Sequence, residues 1–265
     1  MVGVLKSIIV FIFIVLLPCQ IFGQEPVYHW DWKQEGYILG GSILFWTGAK
    51  IVQGNSPVIT LEDIAMLDPL NVSSFERGAI SNNSENADHI SDFFLYGSNA
   101  LPFIHYISKK GRNENLKIVG MTFETILITD GVISLLKGTV NRFRPFTYNP
   151  NILSLDKLGD GSRHSFASGH TATVAAFSFF SAKVFSDLHP DSKWKKFVWA
   201  GAISAPAITA YLRYEAGRHF PTDVMAGYAI GAAVGYFVPH LHKNKKSKNL
   251  SITSAGNGIY LRYQF

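Results

Sequence analysis

Six apolar stretches, each about the length of a long helix, limit what this chain can fold into: residues 36–53, 91–108, 116–137, 169–186, 195–212 and 222–240. None shows the period-2 alternation of a half-buried strand. The expectation is therefore an all-α bundle of about six helices. The segment between the first two stretches is polar, with Glu62, Asp63, Asp68, Glu76, Glu85 and Asp88. It reads as a loop broken by short helices, and Thr60 and Asp63 stand at capping-box spacing. Lys109–Arg112 and His189–Asp191 mark turns. The sixth stretch carries Gly227, Gly231 and Gly235 beside Ala226, Ala229 and Ala232, a ridge low enough for a neighbouring helix to approach closely. The tail from Ser251 to Phe265, with Gly256-Asn257-Gly258 before an alternating run, reads as a short C-terminal strand or hairpin.

Three polar clusters interrupt this apolar pattern: Lys137 with Arg144-Pro145, then Ser168-Gly169-His170, then Arg213 with His219 and Asp223. The first follows the third stretch, the second precedes the fourth, and the third joins the fifth to the sixth. In an up-and-down bundle all three emerge at one end. Together they gather three cations, two histidines, a carboxylate and a glycine turn, an inventory suited to holding a phosphate and breaking a P–O bond. Cations neutralise the oxygens, one histidine attacks phosphorus, and the other protonates the leaving oxygen. Pro221 suits the first position of a helix. That places Asp223 in the first turn, one turn on from His219 and able to orient its ring. Ser168 reads as the N-cap of the fourth helix, with the Gly169 amide able to approach an anion.

These clusters resemble the superfamily of type 2 phosphatidic acid phosphatases, bacterial class A acid phosphatases and vanadium haloperoxidases. Its pattern joins a lysine to Arg-Pro across six residues, then Pro-Ser-Gly-His, then Ser-Arg with a histidine and an aspartate at fixed spacing. Ala167 stands where the family has proline and Leu212 where it usually has serine; the six polar catalytic side chains and Ser168 match. The resemblance spans about residues 90–240. It implies His219 as nucleophile forming a phosphohistidine, Asp223 orienting it, and His170 as acid and then base. Phosphate binding falls to Lys137, Arg144, Ser168, Gly169 and Arg213, with no metal and no other cofactor, and vanadate is expected to inhibit. The implied substrate is a phosphomonoester or pyrophosphate, of a small molecule or a lipid. Two alternatives differ in class. A vanadium-dependent haloperoxidase would oxidise bromide when given vanadate and peroxide, and a catalytically inactive helical envelope binding protein would show no turnover.

The formal net charge is +5, with much of the excess in the clusters themselves, which points to an anionic substrate and not to nucleic acid. Mean hydropathy is +0.13, high for a soluble protein and mild for a polytopic one. Of the other histidines, His29, His89, His105, His189, His240 and His242 read as structural or exposed, and His164 could line the same mouth. Arg142 and Arg218 are off register and read as loop charges or headgroup contacts. Glu124 and Asp130 fall inside an apolar helix, where an isolated charge is costly; Asp130 could pair with Lys137. Outside the clusters, no Asp, Glu or His run has metal-ligand spacing.

Residues 1–23 read as an export signal or N-terminal anchor: Lys6, the apolar run Ile8 to Leu17, then Ile21-Phe22-Gly23. The sole cysteine, Cys19, lies within it. The organisation expected is this leader, a phosphatase helical domain over 24–242, and a basic linker with the C-terminal strand over 243–265. The basic loops Lys109–Lys117 and Lys193–Lys196 and the tail Lys243–Lys248 share one side of the bundle, and the acidic 54–90 loop and the clusters share the other. The site is therefore expected to face the periplasm, on a protein of the bacterial envelope associated with the membrane surface or integral to the bilayer.

Overall fold

A computed structural model describes residues 26–159, 161–244, 250–255 and 258–263 of the 265. The leader expected over 1–23 lies outside the described residues. Six long helices carry the fold: α1 (Trp32–Gly54), α2 (Glu85–Ser98), α3 (Asn115–Val140), α4 (Gly169–Leu188), α5 (Lys195–Glu215) and α6 (Pro221–His242). A C-terminal hairpin follows, β1 (Leu250–Ala255) antiparallel to β2 (Gly258–Tyr263) with Ile252 opposite Leu261.

Five helices sit close to the stretches read from the sequence, but α2 does not. It starts earlier because Ser84 caps it, its hydroxyl accepting from the Ala87 N–H at 3.2 Å, and because Glu85 and Asp88 suit a first turn. It ends earlier because Pro102 disfavours helical backbone at Leu101 and lacks a donor. The chain continues instead as a 3-10 segment, Leu101–Ile107. Acidic residues read as loop therefore stand on a helix. The capping box at Thr60 and Asp63 is present and opens the short helix Leu61–Ala65.

Helix α4 is the axis of the bundle. It packs on α6, α5, α3 and α2, while α1 lies against α3. Its Val174, Phe177, Phe180, Val184 and Leu188 are buried, and Phe180, Val184 and Leu188 join Tyr28, Ile118, Met121 and Val238 in one core cluster. The α4–α6 contact depends on the glycine ridge. A Cβ added at Gly227, Gly231 or Gly235 would stand 2.4, 2.0 and 2.1 Å from the carbonyl oxygens of Ser168, Ala172 and Ala176. Backbone meets backbone there, and this close approach brings the N-terminal ends of α4 and α6 together.

The outer faces are apolar. Tyr37, Leu44 and Ile51 of α1, Phe123 of α3, and Phe197 and Tyr211 of α5 are all exposed, apolar surface of the kind found at membrane and protein contacts. Among the described residues, two segments, Asn115–Tyr148 and Pro221–His242, contain helices long and apolar enough to cross a membrane.

Candidate active site

All three clusters converge at one end of the bundle, as expected. Lys137 lies in the last turn of α3, which ends at Asn141 in a left-handed conformation (φ 48°). Arg144 then precedes the short helix Pro145–Tyr148, and its N–H donates to the Ser162 carbonyl at 2.8 Å. Ser168 stands at the N-cap position of α4, although its hydroxyl pairs with that of Thr171 at 3.1 Å and not with the backbone. Gly169 leaves space for Lys137: a Cβ there would meet Nζ at 3.3 Å. Arg213 ends α5. The turn to His219 passes through Gly217, whose φ of +65° suits glycine and where an added Cβ would stand 2.1 Å from the Asn82 carbonyl oxygen.

His219 is 1% exposed, and its Nδ1 lies 2.8 Å from the Ser165 carbonyl. Nδ1 therefore carries the proton and donates it, leaving Nε2 with its lone pair free. Burial, and then the charges of Arg144, Arg213 and Lys137, hold the imidazole pKa well below its ordinary range. The ring is neutral, as a nucleophile must be.

Asp223 does not touch that ring as its spacing suggested. Its nearest oxygen is 3.8 Å from His219 Nδ1, beyond hydrogen-bond reach. The segment before α4 supplies the partner instead. Asp223 accepts from the Ser165 hydroxyl at 2.5 Å, the Phe220 N–H at 2.8 Å and Arg142 Nη1 at 2.7 Å, while the Ser165 carbonyl holds the histidine. The carboxylate is thus linked to His219 through Ser165, a residue that no motif position singled out.

His170 is paired as well. Its Nε2 lies 2.8 Å from Asp92 Oδ1. Burial and the nearby Arg213 push its pKa down to about 4, against the opposing pull of Asp92 and with a further push from Arg144. Arg213, itself 4% exposed, donates to Asp88 and, at 3.1 Å, to Ser91. Asp88 also accepts from Arg218 at 3.0 and 2.7 Å. Burial raises the Asp88 carboxyl, but Arg213 and Arg218 outweigh it and hold the pKa below the ordinary value. Asp88 and Asp92 lie one turn apart on α2. Their spacing of four was the available signal, obscured by reading Asp88 as loop.

Several charges read as peripheral have definite partners. Arg142 clasps Glu76 and Asp223, each at 2.7 Å, so it is committed to the scaffold. Asp130 pairs with Lys50 at 2.7 Å and accepts from Trp46, and does not bridge to Lys137. His164 meets the Ser56 hydroxyl at 3.0 Å. In contrast, the buried Nε donors of Arg144 and Arg213 have no hydrogen-bond partner. Two buried guanidinium groups with spare donors, beside a neutral imidazole, form a receptor for an anion with several oxygens.

Residues 119–247 match the family model described as the PAP2 superfamily. The match takes in just under half of the chain. Among curated proteins the chain is similar to a lipid A 4'-phosphatase of Porphyromonas gingivalis, 32% identical over 150 residues, covering 55% of this chain and 59% of the relative. It is also similar to an undecaprenyl-diphosphatase of Sulfolobus acidocaldarius, 29% identical over 116 residues, 42% of this chain and 50% of the relative. The chain thus spans roughly half the length of these relatives. Among solved structures, a transmembrane PAP2-type phosphatidylglycerolphosphate phosphatase from Bacillus subtilis covers 77% of this chain with 96% of its own, at 19% identity and a TM-score of 0.42.

Proposed function

We propose that the protein is a phosphatase acting on a phosphomonoester or pyrophosphate carried by a lipid, through a phosphohistidine. One observation carries this reading. Arg144 and Arg213, each with an unpartnered Nε donor, lie close enough to His219 that burial and their charges hold the ring neutral, and its Nδ1 bond to Ser165 leaves Nε2 with its lone pair. In the proposed reaction, Lys137, Arg144 and Arg213 hold the phosphate oxygens. His219 Nε2 forms a bond to phosphorus as the bond to the leaving oxygen breaks, and that oxygen takes the proton of His170. His170, now neutral, removes a proton from water. The resulting hydroxide attacks the phosphohistidine, releasing inorganic phosphate and restoring both imidazoles. No step calls for a metal or another cofactor. Asp92, 2.8 Å from Nε2, stabilises the imidazolium of His170 and fixes the orientation of its ring.

The lipid nature of the substrate is supported by the apolar outer faces and the two helices of membrane-spanning length, together with relatives named for lipid A and undecaprenyl diphosphate. The proposed location is the cell envelope, with the catalytic end on the periplasmic side. Turnover of lipid A, undecaprenyl pyrophosphate, phosphatidate and a soluble aryl phosphate by the purified protein tests this reading. Release of phosphate from at least one lipid faster than from the aryl ester is expected, and preference for the soluble ester would overturn the lipid assignment.

A further inference from the structure

A second polar cluster lies at the opposite end of the bundle, and the phosphatase chemistry makes no use of it. Glu35 of α1, Glu124 of α3 and His242 of α6 converge there, 2%, 1% and 8% exposed respectively. His242 Nε2 lies 3.1 Å from a Glu35 carboxylate oxygen and 3.4 Å from one of Glu124. One ligand atom from each residue falls within 4.8 Å of the others.

The histidine fixes the logic of the cluster. Its Nδ1 lies 2.8 Å from the Val238 carbonyl, so Nδ1 carries a proton and donates it. This outer hydrogen bond is the one that metal-ligating histidines characteristically make, and it leaves Nε2 to face the two carboxylates, where a proton shared with Glu35 at 3.1 Å occupies the place an ion would take. Trp30 stacks on the imidazole at 5.9 Å and 28°, holding its plane. Two carboxylates buried together repel one another unless a positive charge, a proton or a metal ion, lies among them. Independently, the second oxygen of Glu124 is buried with no hydrogen-bond partner, so this carboxylate has coordinating capacity that the protein does not use.

A divalent cation satisfies each of these conditions. Two carboxylates and a neutral imidazole balance its charge. Metal–ligand bonds of about 2.0–2.1 Å in a tetrahedral site place neighbouring donors about 3.4 Å apart, close to the two separations seen here. A donor set of one nitrogen and carboxylate oxygens suits zinc or manganese and not the soft-metal class that thiolates select. We propose that Glu35, Glu124 and His242 bind one divalent transition-metal ion of the zinc or manganese kind, clamping α1, α3 and α6 together. Glu124 precedes Lys137 by thirteen residues on α3, about 20 Å at 1.5 Å per residue. The ion is therefore structural and takes no part in phosphoryl transfer.

The test uses the full chain, purified in detergent without immobilised metal, stripped with a chelator and then given Zn²⁺, Mn²⁺ or Co²⁺ alone. Expected are about one ion bound per chain by mass spectrometry, a melting temperature higher by several degrees, and visible d–d absorption from the Co²⁺ form. Glu124→Gln and His242→Ala, shown to be folded by circular dichroism, should lose both the ion and the shift. X-ray absorption on the wild-type Zn²⁺ form needs no variant and should report one imidazole with oxygen ligands. A wild-type chain that stays metal-free and melts unchanged at saturating Zn²⁺ and Mn²⁺ would overturn the proposal. So would variants that bind the ion as well as wild type, or an absorption edge without imidazole. In those outcomes the cluster is a proton-sharing pair of carboxylates with a charged histidine.

Discussion

Gly231→Ala puts the smallest side chain where the structure has no space for one. The new Cβ would lie 2.0 Å from the Ala172 carbonyl oxygen and 2.9 Å from the Ala175 Cβ. An ordinary C···O contact is about 3.3 Å, so α6 must move away from α4 by roughly 1 Å at this point. Overpacking of this size costs about 1–3 kcal/mol, offset by up to about 1 kcal/mol of improved helix propensity. A net loss of about 1–2 kcal/mol lowers the melting temperature by roughly 3–6 °C for a chain of this size. The functional effect should be larger. Ala172 is two residues from His170, and the Ser168 N–H donates to the Asp223 carbonyl at 2.9 Å, so the N-terminal ends of α4 and α6 move together. A misplacement near 1 Å can cost about a hundredfold in rate. Gly201→Ala is the control: it is also helical, has nothing within 4 Å, and should be neutral or stabilising by up to about 1 kcal/mol. Thermal melts and aryl phosphate turnover of both variants decide the matter. If Gly231→Ala melts and turns over like Gly201→Ala, the close helix approach is not what positions the site.

Four further outcomes are expected. His219→Ala should abolish turnover with every leaving group, whereas His170→Ala should retain much more activity on an activated aryl phosphate, which needs little protonation; equal losses on all substrates would refute the division of roles. Because the folded pKa of His170 is about 4 against 6.5 in the unfolded chain, its neutral form favours folding above pH 6.5, and that contribution, about 3 kcal/mol at most, is lost as pH falls towards 4; a melt series should show His170→Gln losing less stability than wild type across that interval. Vanadate should inhibit competitively with substrate, and a purely noncompetitive pattern would place its site elsewhere. Ser154→Cys in a Cys19→Ser background should react with a membrane-impermeant maleimide once the outer membrane is permeabilised, and labelling only after inner-membrane rupture would put the catalytic end in the cytoplasm; Ser154 is chosen because it is exposed, whereas Ser162 in the same loop is 2% exposed.

The sequence made the bundle and the six cationic, histidine and carboxylate positions legible for a simple reason. Helix length shows in apolar runs, and each polar cluster is local in the chain, so spacing alone places it at a helix end. The glycine ridge was readable on the same grounds. Partnerships across helices were not. Asp223 stands at the right spacing to reach His219, yet the segment before α4 interposes Ser165 between them, and only packing decides that. Asp130 similarly turned to Lys50 of α1 and away from Lys137 of its own helix. His242 and Glu124 each looked isolated or structural because their partners are distant in the chain. The misplaced start of α2 came from weighing acidic composition over a serine cap, and it hid Asp88 and Asp92 as a pair.

On the proposed mechanism, that pair explains how a histidine with a depressed pKa can serve as an acid. In the free site the positive charges of Arg144 and Arg213 act on His170 and, with burial, keep it unprotonated at neutral pH. The available carboxylates are already engaged: Asp223 by Arg142, and Asp88 by Arg213 and Arg218. Among the described residues, Asp92 is the carboxylate that pairs with the imidazole itself. A phosphate dianion bound to the two guanidinium groups cancels the charge that disfavours protonation, and Asp92 then stabilises the imidazolium. On the proposed mechanism the acid is therefore loaded by the substrate it will protonate. An anion bearing a single charge, such as a phosphodiester, would cancel less and leave His170 less often protonated. The same geometry that binds phosphate should thus favour monoesters and terminal pyrophosphates over diesters.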